Sequence, residues 1–85
     1  MIVTSKRPTS YFAGRAAYAN GRLVGHIHRK SDHFRGKETN KRLMFVPVEG
    51  LPYRLPTLIE PGWTLRHMHH RVEDEIRLCY VATGG

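Results

Sequence analysis

The residues best equipped for chemistry are six histidines, which fall into two groups: His26, His28 and His33, then His67, His69 and His70. Each group holds a His-x-His pair, and on a strand such a pair points both imidazoles to one face. If two strands bearing these pairs were neighbours and faced the same way, His26, His28, His67 and His69 would surround one divalent ion. Tetrahedral zinc with four nitrogen ligands is the natural occupant. On a helix the second group rearranges, and His67, His70 and Asp74 share one flank as a two-nitrogen, one-oxygen set. The two arrangements exclude each other. His-x-His also lacks the long-range spacing of a paired Cys-x-x-Cys, so the ordinary expectation is unligated imidazoles on a cationic surface, with no resident cofactor.

Imidazoles titrating near neutrality also suit acid/base work, and a histidine-based or metal-dependent phosphodiesterase is the catalytic reading. No serine or cysteine sits in a nucleophile context. Cys79 lies in the apolar run "IRLCYVAT" and reads as packing. Neither G-x-G-x-x-G nor G-x-x-x-x-G-K occurs, which excludes the nucleotide cradles built on those loops. The expectation is therefore a protein that is not an enzyme.

Charge is the more informative signal. The chain has 14 Lys/Arg against 7 Asp/Glu, a net +7 over 85 residues. The excess lies in the first half: residues 1–48 contain ten of these cations and only Asp32 and Glu38 as acids. A field of this sign attracts polyanions and releases their counterions on contact. The densest stretch is "RKSDHFRGKETNKR", residues 29–42, with seven basic residues counting His33 and no aliphatic side chain. Phe34 is isolated within it, with little core to enter. The expected nucleic-acid contacts are Arg22, Arg29, Lys30, Arg35, Lys37, Lys41 and Arg42 on phosphates, joined by Lys6 and Arg7, with Phe34 stacking on a base, helped by Tyr11 or Tyr53. The competing partner is an acidic protein surface, bound by a small regulator or inhibitor of the kind phages and mobile elements encode. A mimic of DNA is excluded, because it would have to be acidic.

These residues must be held by a small core. A chain of this length forms one domain, residues 1–85, and buries only about 60–65% of its unfolded surface. A single cysteine excludes an intramolecular disulfide, and no leader-like apolar segment opens the chain, so a cytoplasmic location is expected. The apolar run "LMFVPV" is far shorter than the roughly 20 residues that span a bilayer.

The fold class expected is mainly β, a small antiparallel sheet or partly open barrel, with α+β carrying a C-terminal helix near 64–79 as the alternative. "MIVT" reads as a short first strand. Asn20-Gly21 between two β-capable runs specifies a type I′ hairpin, pairing Tyr18 with Leu23, Ala17 with Val24, Ala16 with Gly25 and Arg15 with His26; a helix from Thr9 ending at Gly21 competes. Residues 29–42 form an exposed loop or a long hairpin tip. "LMFVPVE" is a strand, with Pro47 at an edge or at its end. Pro52, Pro56 and Pro61 stiffen an irregular connection. The last segment is ambiguous. Leu65, Met68, Val72, Ile76 and Cys79 make a helical stripe, but the cations come before the acids, opposite to the helix dipole, and "EIRLCYVAT" favours β. A hairpin turning near Glu73-Asp74 is the preferred expectation there. The tail Gly84-Gly85 after a last strand resembles those of ubiquitin-like modifiers and sulfur carriers; the likeness extends to two glycines and a strand. An exposed strand edge leaves room for a homodimer.

Overall fold

A computed structural model describes residues 2–4 and 14–82, with the side chains of 14–79. Lys6, Arg7, Tyr11 and Gly84-Gly85, and the start of the competing helix at Thr9, lie outside the described residues. Five strands run in chain order: β1 (Ile2–Thr4), β2 (Arg15–Ala19), β3 (Arg22–Phe34), β4 (Lys37–Pro47) and β5 (Leu58–Pro61), followed by α1 (Leu65–Ala82). They form one antiparallel meander in the order β1-β2-β3-β4-β5. The protein is thus mainly β, an open sheet with a single C-terminal helix.

Two turns of the same chemistry build the centre of the sheet. Asn20 (φ 51) and Gly21 (φ 81) join β2 to β3, and Arg35 (φ 51) and Gly36 (φ 77) join β3 to β4. Positive φ at both central residues is the type I′ geometry that matches strand twist. The first was expected from Asn-Gly, and Tyr18 does pair with Leu23. Beyond that pair the expected register fails: Ala17 lies opposite Gly25, Ala16 opposite His26 and Arg15 opposite Ile27. Val24 is the extra residue of a bulge. The slip lets Val24 and Ala17, both fully buried, enter the core together.

From Arg15 across Ile27 and Phe45 to Leu58, one row of cross-strand neighbours faces the helix. Gly25 is needed beside it, because a Cβ there would overlap the Phe45 ring. The core gathers Ala17, Val24, Ile27, Leu43, Phe45, Leu55, Leu58, Met68 and Val72.

The preferred hairpin at 63–82 is corrected: the segment is helical. The five stripe residues all join or pack on the core, with Met68 and Val72 fully buried. Burying two such side chains contributes about 1.5–3 kcal/mol each, whereas unfavourable charges near the helix ends cost about 0.3–1 kcal/mol each. Packing against the sheet therefore outweighs the dipole. A second correction concerns the proline-rich connection, which contains a strand: β5 pairs with β4 from Phe45↔Leu58 to Arg42↔Pro61. Pro47 ends β4, as expected.

Candidate nucleic-acid interface

β3 and β4 outrun their neighbours. Among the described residues pairing with β2 ends at Arg15↔Ile27 and pairing with β5 ends at Arg42, while β3 and β4 continue together to Phe34↔Lys37. From Lys30 to the turn at Arg35 the described sheet is two strands wide, a ribbon of about 15 Å at about 3.3 Å per residue. The molecule measures 50 × 23 × 20 Å with a radius of gyration of 13.8 Å. A compact domain of this length would have a radius near 12 Å. Of the two forms expected for the basic stretch, an exposed loop or a long hairpin tip, it takes the second.

The ribbon is braced at its base by Trp63, a residue the sequence reading did not place at the site. Its indole Nε1 donates to the Lys30 carbonyl at 3.3 Å. The Arg29 guanidinium lies 5.1 Å from the ring centroid and the Lys41 ammonium 4.9 Å from it. Gly62 N–H donates to the Lys41 carbonyl at 2.7 Å, which holds the Trp63 backbone beside β4. A tryptophan directly after Pro-Gly is a weak sequence signal, since its partners Lys41, Lys30 and Arg29 are all distant in the chain.

Halfway out, Asn40 and Lys41 stand opposite Ser31 in a bulge, and Asn40 takes φ 51. Asp32 fastens this irregularity. Its Oδ2 accepts from Asn40 Nδ2 at 2.9 Å and its Oδ1 lies 3.6 Å from Arg42 Nη1. The Asn40 hydrogen bond, then the Arg42 charge, hold the Asp32 carboxyl below its ordinary value. Arg42 also donates to the Asn40 carbonyl at 2.9 Å. Nearer the tip, His33 Nε2 lies 3.8 Å from Glu38 Oε1. Both acids of the ribbon are thus engaged within it. Lys30 and Lys37 have no ion pair among the described residues.

Strand alternation sorts the cations. His26, His28, Lys30 and Phe34 point to the sheet face away from the helix, together with Lys37, the cross-strand partner of Phe34. Arg29 and Lys41 turn to the Trp63 side. Arg35 occupies the turn, its guanidinium 5.3 Å from the Phe34 ring. Phe34 itself is 64% exposed.

Two members of the expected set do not join the cluster. Arg22 begins β3, about 40 Å along the strand from Phe34. Tyr53 packs against the hydrophobic core, so it is no stacking platform.

The four-histidine zinc set is also corrected. His26 and His28 flank the buried Ile27 on the face turned away from the helix, whereas His67 and His69 belong to α1, whose residues Met68 and Val72 pack on the other face. The required second strand does not exist. Nor is the helical flank of His67, His70 and Asp74 a metal centre: among the described residues no group of three or more His, Cys, Asp or Glu side chains is placed to hold an ion. Burial, then the charges of Lys30 and His26, hold the His28 imidazole below its ordinary pKa. Burial also lowers that of His69, with Glu73 opposing and His70 adding to the effect. Cys79 is partly buried, and its thiol donates to the Arg54 carbonyl at 3.3 Å.

Among the described residues no helix is long and apolar enough to cross a membrane. Comparison with protein-family models, curated proteins and solved structures finds no match for this chain.

Proposed function

We propose that the protein is a non-enzymatic nucleic-acid-binding module that uses the β3–β4 ribbon as its contact surface. The observation that carries this reading is the projection of five Lys/Arg, with an exposed Phe34, on a two-stranded ribbon braced by Trp63, with Arg29 at its base. Arg29, Lys30, Arg35, Lys37, Lys41 and Arg42 supply contacts to phosphates, and Phe34 supplies one apolar contact to a base. Against its two acids, Asp32 beside Arg42 and Asn40 and Glu38 beside His33, the stretch 29–42 keeps a formal excess of four positive charges from six Lys/Arg. A ribbon held at its base loses less conformational freedom on binding than a floppy basic loop would.

Titration of a labelled 20-base-pair DNA duplex at several salt concentrations tests this. Four to six phosphate contacts predict that log K falls with log salt at a slope of about −3.5 to −5.5. No binding at 50 mM salt would overturn the reading.

A further inference from the structure

Resting on that reading, the geometry points to a more specific partner: we infer that the ribbon enters the major groove of B-form DNA, tip first, with Phe34 against the base edges. Three observations carry this. The first is shape. Two strands lie about 4.8 Å apart, and the B-form major groove, about 12 Å wide and 8.5 Å deep, admits a two-stranded ribbon. The free part of this one, from Lys30 and Arg42 to the turn, projects about 15 Å, further than the groove is deep. The groove floor is therefore within reach of the tip while the sheet stays outside.

The second is the distribution of charge. Cations stand on both sides of the ribbon, Lys30 and Lys37 on the face away from the helix, Lys41 on the Trp63 side with Arg29 beside it at the base. An element lying in a groove has a phosphate strand on either flank, and each flank here carries positive charge. A surface that tracks one single strand needs its cations on one side only.

The third is the placement of aromatic residues. Single-strand platforms stack successive bases on successive aromatic rings. Phe34 is the one aromatic residue of the ribbon, and among the described residues the other exposed ring on that sheet face, Tyr18, pairs with Leu23, about 36 Å along β3. A lone apolar tip suits contact with a thymine methyl on the groove floor. The A-form RNA duplex has at least as high a charge density but a deep, narrow major groove that side chains do not reach. It is the natural counter-probe.

The experiment compares four ligands of one sequence at 100 mM salt: a 20-base-pair DNA duplex, the RNA duplex, the single DNA strand, and the DNA duplex with bulky 5-substituted pyrimidines that fill the major groove. Native DNA duplex bound at least tenfold more tightly than each of the other three is the expected result. Phe34→Ala, a substitution at an exposed position, should weaken native duplex binding about three- to tenfold and leave the blocked duplex unchanged. If the unmodified and blocked duplexes bind equally, groove entry is wrong while nucleic-acid binding stands. If the RNA duplex or the single strand binds as tightly as DNA, groove entry is wrong as well. Absence of binding to all four at 50 mM salt overturns both readings.

Discussion

At the scale of the residue, Gly25 shows how little slack the core has. Its hydrogen is the only substituent that fits beside the ring of Phe45, which is itself fully buried. Gly25→Ala should therefore destabilise the fold by about 1–3 kcal/mol through overpacking, read as a lowered denaturation midpoint with unchanged m-value. Trp63 has a different kind of importance. Trp63→Leu removes two cation–π contacts of about 0.5–1 kcal/mol each and the hydrogen bond to the Lys30 carbonyl, and should speed hydrogen exchange of ribbon amides more than those of β2. His28 and His69 give the molecule a pH dependence. Both have folded-state pKa values below the unfolded value near 6.5, so the unfolded chain takes up protons first as pH falls. Stability should be flat above neutrality and decline on acidification from about pH 6.5; a rise in Tm between pH 7 and 5.5 would contradict this assignment. Phe34 was legible from composition, because a ring amid charge has nowhere to pack. Trp63 was not, because its role depends on the pairing of β5 with β4.

At the scale of the element, local chemistry was legible and long-range choice was not. The Asn20-Gly21 turn, the end of β4 at Pro47 and the apolar stripe from Leu65 to Cys79 were all readable from residue types and spacing. What residue types leave undecided is whether the stripe is used. The decision comes from the sheet, whose Ile27, Phe45 and Leu58 offer a matching apolar face to Met68 and Val72. Val72→Asp should accordingly unfold most of the protein at 25 °C, since a buried unpaired carboxylate costs several kcal/mol against the small stability of a domain of this size. Circular dichroism would show loss of helix and sheet signals together; loss of the helix alone would mean that the sheet stands without it. The bulge at Val24 was also invisible beforehand. It trades ideal pairing for the burial of one more side chain, a balance struck only once the helix has covered that face. The zinc arrangement failed for the same reason, since it needed a strand where packing dictates a helix.

At the scale of the whole molecule, the helix and five strands make a small body from which the basic ribbon extends. Net charge alone would give any polyanion some attraction, wherever the cations sat. In the proposed function the ribbon, and not the overall charge, carries binding. The most direct test compares two triple variants of identical net charge. One reverses Lys30, Arg35 and Lys37 to Glu on the ribbon; the other reverses Arg54, Arg66 and Arg77, which are exposed and not part of it. Affinity for a 20-base-pair DNA duplex is measured at 100 mM salt, with circular dichroism confirming that both variants fold. The account predicts a loss of at least about 100-fold for the ribbon variant, from the loss of three phosphate contacts and the added repulsion, and a several-fold smaller loss for the control. Equal losses in the two variants would contradict it.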